Sequence, residues 1–179
     1  MTRAFVAIRP PDAVLDAVAA RTSAVDLEGA RRTPRSQWHI TVQFLGDEAD
    51  VDAVIKALQP LRTPRGSLRL NTAGPVGNPK RSTVFAIGVS EGASWLRALA
   101  DEVTTRLASL SYVRDERPFF PHLTLARCRR ATNMRAAVEA VGPAPIGDPW
   151  LVDEVLVYES RLGHGPADHL VRASIPLDA

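Results

Sequence analysis

Trp38-His39-Ile40-Thr41-Val42-Gln43-Phe44-Leu45-Gly46 and, further on, His122-Leu123-Thr124-Leu125-Ala126-Arg127 share one phrase: a histidine and a threonine two residues apart, each followed by an aliphatic residue. On a β-strand, side chains alternate between faces, so each His and its Thr point one way while Ile40, Val42, Leu123 and Leu125 point into a core. Each copy therefore presents an imidazole beside a hydroxyl, about 6.6 Å apart along the strand.

Working outward from the first copy, Arg3 to Ile8 reads as a short strand stopped by Pro10-Pro11, and Val14, Leu15, Val18, Thr22 and Val25 recur at helical spacing. A charged loop ending in Thr33-Pro34-Arg35-Ser36 leads into a strand from Trp38 to Leu45, closed by Gly46-Asp47. A helix over Val51 to Leu58, stopping near Pro60, and a strand over Leu68 to Ala73 complete a β-α-β-α-β order.

Beyond the turn-forming Gly74-Pro75-Val76-Gly77-Asn78-Pro79 the order begins again. Val84 to Val89 reads as strand, Ser94 to Leu110 as helix with Ser94 as its N-cap, and His122 to Arg127 as strand. Met134 to Val141 reads as helix and Leu151 to Tyr158 as strand, with an extra strand over His169 to Ile175. Aligning Phe5-Val6-Ala7-Ile8 with Phe85-Ala86-Ile87-Gly88 puts the two histidines at corresponding points. The expectation is an α+β fold: one domain over 1–179, made of two pseudo-twofold lobes of approximately 1–74 and 80–160 and a C-terminal strand 169–175. Such a duplication sets both polar pairs against one shared cleft.

A chain of 179 residues with 45% hydrophobic residues can bury a core of its own. The sequence holds no apolar run of about 20 residues and no secretory leader, which predicts a soluble cytoplasmic protein with no membrane partner, and a monomer. Cys128 is the single cysteine, so an internal disulfide and a thiolate metal cluster are excluded. Net charge is only +2, yet 20 Arg stand against two Lys, and Arg is the better fork for phosphate. That composition allows a nucleic-acid partner without demanding one.

Two imidazoles across a small cleft suit acid-base catalysis, since the ordinary histidine pKa lets one ring be neutral and the other protonated near neutral pH. Hydrolysis of a cyclic phosphodiester needs such a pair: a base for the attacking water, an acid for the leaving ribose oxygen, and hydroxyl donors for the non-bridging oxygens. This scheme needs no metal and no cofactor. A lone strand histidine is more often structural, and a strand threonine is usually only a good β-former; the matched pairing argues otherwise.

The two phrases, with Arg117-Pro118-Phe119-Phe120-Pro121 before the second, resemble the signature stretches of the two-histidine phosphoesterases, and within them the RNA 2′,3′-cyclic phosphodiesterase branch, also called 2′-5′ RNA ligases. The likeness extends to Arg3-Ala4-Phe5-Val6-Ala7-Ile8 and Tyr158-Glu159-Ser160-Arg161-Leu162. It implies a bilobed fold with antiparallel-rich sheets lining a groove and helices outside. It also implies hydrolysis of RNA or nucleotide 2′,3′-cyclic phosphate ends to 2′-phosphomonoesters, with 2′-5′ ligation as the companion activity. The resemblance makes His39 and His122 the catalytic pair, His39 as acid and His122 as base, and Thr41 and Thr124 the phosphate ligands. Val42 replaces the usual Leu, and Phe120 stands where a basic residue is frequent. Arg127 matches the family arginine that clamps phosphate, although strict alternation aims it away from His122 unless a bulge intervenes.

Three rival signals are present. Gly88-Val89-Ser90-Glu91-Gly92 fits the nucleophile-elbow pattern of a serine hydrolase, with Asp153 or Asp168 and His169 following in order. His164-Gly165-Pro166-Ala167-Asp168-His169 carries metal-capable side chains within a turn. A non-catalytic RNA-binding module would use the same groove without the acid-base pair. Phe44, Phe119 and Phe120 are expected in the core rather than stacked on a base, and Lys80, Arg81, Arg129 and Arg130 as solvated surface.

Overall fold

The computed structural model describes residues 3–59, 61–78, 80–114, 118–161 and 167–178. Strand β1 (Arg3–Ile8) buries both of its faces: Ala4, Val6 and Ile8 enter the main core, while Phe5 and Ala7 join a second, smaller cluster with Leu156 and Tyr158. The chain continues through α1 (Asp12–Thr22), a short β2 (Ala30–Arg32), β3 (Ile40–Gly46), α2 (Val51–Leu58) and β4 (Gly66–Pro75). It then runs through β5 (Ser82–Glu91), α3 (Ala93–Leu107), β6 (His122–Thr132), α4 (Arg135–Val141), β7 (Ile146–Val152), β8 (Glu154–Arg161) and β9 (Asp168–Pro176).

The strands form one antiparallel sheet in the order β7-β4-β5-β6-β3-β1-β8-β9, with β2 attached to β6. The two phrase-bearing strands, β6 and β3, are neighbours at its centre, flanked by β5 and β1 in matching fashion. The helices cover one face: α1 packs on β7, α4 on β4, and α2 and α3 on each other and on β3 and β9. Their buried residues share a core with Ile8, Ile40, Val42, Leu123 and Leu125. The phrase histidines and threonines occupy the opposite face. This bears out the α+β expectation with helices outside.

Six sequence expectations change. The halves of the sheet are not 1–74 and 80–160: β4 crosses to pair with β5, and β8 and β9 return to pair beside β1, so one half combines both ends of the chain. The strand expected over Leu151 to Tyr158 is two strands in opposite halves, broken at Asp153. There the buried phase shifts from Trp150 and Val152 to Val155 and Val157. Ala30–Arg32, which has no apolar alternation, is a strand rather than loop because β6 offers it a free edge. The N-cap of α3 is Gly92, not Ser94, which lies in the helix's first turn. Met134 likewise precedes α4, and Val25 is buried beyond the end of α1.

Duplication itself is expressed in register, with one correction. Ala7 faces Thr41 and Ile8 faces Ile40, as Ala86 faces Thr124 and Ile87 faces Leu123. One step on, Phe5 faces Phe44 and Val84 faces Arg127, so the counterpart of Phe5 is Val84 rather than Phe85.

Gly92 closes the nucleophile-elbow pattern, yet its role is local packing. Its φ is +79°, and a Cβ there would sit 2.1 Å from the Ser67 carbonyl oxygen. Gly92→Ala is therefore expected to lower unfolding stability by about 2 kcal/mol or more in a denaturant titration, combining a left-handed backbone penalty with a backbone clash. A loss under about 0.5 kcal/mol would show that the Ser67 segment yields freely.

Candidate active site

A single antiparallel pairing, Ile40 with Leu123, joins β3 to β6. In such a pair the residue before one member lies across from the residue after the other. His39 thus faces Thr124, and Thr41 faces His122. With about 5 Å between cross-strand neighbours and about 6.6 Å between His and Thr on one strand, the four side chains mark the corners of a small four-sided figure. The histidines hold one diagonal and the threonines the other. Ile40 and Leu123, both fully buried, aim through the sheet into the helix-side core.

Both rings are held alike. His39 Nδ1 lies 2.7 Å from the Gln37 carbonyl oxygen, and His122 Nδ1 lies 2.8 Å from that of Phe120. A carbonyl can only accept, so each Nδ1 carries the hydrogen and donates it. Each Nε2 is left for chemistry in the groove.

Both strands then bulge at the same point. Against β1, the pairing shifts between Val6 and Ala7, and Val42 and Gln43 are buried in succession. Against β5, it shifts between Phe85 and Ala86, and Leu125 and Ala126 are buried in succession. The extra residue reverses the alternation beyond it. Phe44 and Arg127 accordingly return to the face of Thr41 and Thr124. Arg127 is exposed there, and its positive charge acts on His39.

The surroundings of the two rings differ. His39 stacks on Phe5 with centroids 4.6 Å apart, Phe5 stacks on Tyr158 at 5.0 Å, and the His169 ring meets His39 edge-on at 5.3 Å. Burial, with the like charges of His169, His122 and Arg127, pushes the His39 pKa down to about 4, against the Gln37 carbonyl, which favours the charged ring. Burial likewise lowers His169 and raises Tyr158. His122 instead stacks on Phe120, 5.8 Å away, whose ring is 54% exposed.

The structure thus gathers His39, His122, Thr41, Thr124 and Arg127 on one face. Phe44 and Phe120, expected in the core, are exposed on the same side, and only Phe119 packs inward. Phe5, Tyr158 and His169 also border the site; in sequence, Phe5 and Tyr158 stand only within the stretches that carry the family likeness, and His169 only in the rival triad and metal patterns. Ser90 lies inside β5 at a register shift against β4, between Val89 and Glu91, and its hydroxyl donates to the Arg69 and Leu70 carbonyls. Among the described residues no histidine reaches it. His164 lies outside the described residues, and among these no three His, Cys, Asp or Glu side chains converge as metal ligands. No helix among them is long and apolar enough to cross a membrane.

The profile of the 2′-5′ RNA ligase superfamily matches residues 10–164. The RNA 2′,3′-cyclic phosphodiesterase of Aeropyrum pernix is 35% identical over 104 residues, covering 57% of this chain and 59% of that protein. The matched stretch is therefore less than two thirds of that relative's length. The RNA 2′,3′-cyclic phosphodiesterase of Escherichia coli is 30% identical over 142 residues, 77% of this chain and 74% of its own. The crystal structure of E. coli LigT complexed with 3′-AMP superposes with a TM-score of 0.79 at 26% identity, covering 98% of both chains.

A folded-state pKa of about 4 against an ordinary 6.5 has a readable consequence. On acidification the unfolded chain takes up the proton first, so the stability associated with neutral His39 is full above pH 6.5 and is lost as pH falls toward 4. His39→Gln should flatten the pH dependence of stability across that window. An NMR titration of the free protein should find the His39 imidazole still neutral at pH 5.5; an ordinary midpoint would contradict the burial argument.

Proposed function

Because the chain belongs to the 2′-5′ RNA ligase superfamily, we propose that it hydrolyses RNA and nucleotide 2′,3′-cyclic phosphate ends to 2′-phosphomonoesters. The observation that carries this reading is the pair of imidazoles, each with Nδ1 tied to a backbone carbonyl, on the diagonal of a figure whose other corners are threonine hydroxyls.

The cyclic phosphate sits over the Ile40–Leu123 pair, where both Nε2 atoms converge. His122 takes a proton from water as the water oxygen bonds to phosphorus, the P–O3′ bond breaks, and His39 gives its proton to the departing 3′ oxygen. Thr41 and Thr124 hold the non-bridging oxygens, where negative charge grows, and Arg127, three residues past Thr124 on the same face, adds positive charge for substrate phosphate. A 5′-hydroxyl in place of water gives a 2′-5′ bond by the same displacement, which accounts for the ligase in the family's name.

The acid role requires a charged His39, whereas its burial favours the neutral ring. The substrate supplies what is missing: a phosphate anion between the rings opposes the repulsion from His122, His169 and Arg127 and raises the His39 pKa. An RNA substrate places the enzyme in the cytoplasm. The site is complete within one chain, so a monomer suffices. The serine-hydrolase alternative has no support, because the Ser90 hydroxyl is committed to strand carbonyls.

Incubation with a nucleoside 2′,3′-cyclic phosphate in EDTA is expected to yield the 2′-phosphate. Absence of turnover, or a 3′-phosphate product, would overturn the reading. His39→Ala and His122→Ala should each lower kcat by roughly two orders of magnitude or more while the protein stays folded. A binding module would lose no turnover because it would have none to lose. Saturation with adenosine 2′-phosphate should raise the His39 NMR midpoint from about 4; an unmoved midpoint would exchange the acid and base assignments.

A further inference from the structure

Arg127 does not stand alone on its strand pair. The short strand β2 lies against β6 with Ala30 facing Cys128, Arg31 facing Arg127 and Arg32 facing Ala126. Directly opposed residues of an antiparallel pair project from the same face, with Cα atoms about 5 Å apart. Arg31 therefore shares the groove face with Arg127. The neighbours on β2 confirm the phase: Ala30 and Arg32 line a small cavity on the helix side with Leu125 and Ala126, and Arg32 donates to the Val25 carbonyl there.

Two guanidinium groups directly across a strand pair repel one another. Several arginines of this chain stand against carboxylates, Arg35 with Asp16, Arg114 with Asp101 and Arg172 with Glu159. Among the described residues no carboxylate pairs with Arg31 or Arg127. Two guanidinium groups of like charge at one groove end make a receptor for a phosphate anion.

We infer that Arg31 and Arg127 form a second phosphate subsite, which takes the 5′-phosphate of the nucleotide whose 2′,3′-cyclic end is cleaved. This rests on the proposed phosphodiesterase reading for the identity of the first phosphate. From Thr124, which flanks that phosphate, the bulged strand reaches Arg127 in about 7 Å, two pleat steps. The span matches neighbouring phosphates on one ribose. The subsite lies on the His39 and Thr124 side, so it also fixes the direction in which an RNA strand leaves the groove. Phe44, not an arginine, occupies the equivalent place past Thr41. The groove is symmetric in its catalytic corners and polar in its ends.

The test compares two ligands that differ by one group, adenosine 2′-phosphate and adenosine 2′,5′-bisphosphate, by calorimetry at low salt. The bisphosphate should bind at least tenfold more tightly, and rising salt should erode that advantage. Arg31→Ala should bring the ratio of affinities close to one, Arg31→Lys should keep part of it, and Arg97→Ala, on the helix side, should keep all of it. Because Arg31→Ala relieves a like-charge contact, the variant is expected to fold at least as stably as the parent. A wild-type ratio near one, or a ratio unchanged in Arg31→Ala, overturns the subsite. Turnover of adenosine 2′,3′-cyclic phosphate with and without a 5′-phosphate separates the two claims. An Arg31-dependent binding preference without hydrolysis sinks the phosphodiesterase reading and leaves the subsite standing; hydrolysis without the preference does the reverse.

Discussion

Everything at the groove depends on one backbone pairing, Ile40 against Leu123. Both side chains are fully buried, so the register is fixed by the core on the far side of the sheet. A slip of one residue would move two aliphatic residues into the groove and both histidines into the helix-packed interior, an exchange no core of this size tolerates. Placement of the polar corners is thus a by-product of apolar burial. That is why a short phrase suffices to encode it: the aliphatic positions set the phase, and the polar positions inherit their geometry. The Nδ1 bonds to Gln37 and Phe120 complete the arrangement, turning two generic strand histidines into rings of one defined tautomer.

Symmetry stops at the second layer. Phe5, Tyr158 and His169 enclose one ring, whereas among the described residues the aromatic ring beside the other is the exposed Phe120. The difference arises from topology: β8 and β9 wrap back beside β1 and bring Tyr158 and His169 to His39. The fold covers one half of a duplicated site, and burial there pushes the His39 pKa down to about 4. The cost falls on His39, whose charged form is disfavoured until an anion arrives.

The sequence made the strand-helix order, the shared cleft and its four corners legible, because all of these follow from alternation and helical spacing. What stayed hidden depended on pairing between distant segments. Alternation alone sends Arg127 to the wrong face; the bulge at Leu125 and Ala126 reverses it, and two successive apolar residues in β6 were the available sign. The same argument applies to Val42 and Gln43, where the polar Gln43 masked the signal, and so Phe44 was assigned to the core. Arg31 lay in a segment with no periodicity, and only its partner strand gives it a side. The lobes were misplaced because sequence halves and sheet halves differ once β4 and β8 exchange sides, a connection that no local pattern reports.

These features share a physical character: each is locally unfavourable for folding. The groove exposes Phe44 and Phe120, keeps a buried histidine beside two other imidazoles, and opposes Arg31 to Arg127 across a strand pair. Elsewhere the protein resolves such conflicts, as where Glu102 gathers the Arg62 and Thr63 N–H groups with Arg106 and is held at about 2. A sequence selected for stability alone would discharge the groove conflicts with a single carboxylate. Here they persist together on one face, around one pair of carbonyl-locked rings. Under the proposed phosphodiesterase reading, a substrate phosphate would neutralise the arginines and a base would cover the aromatic surface, so the strain held on this face is the complement of the proposed substrate.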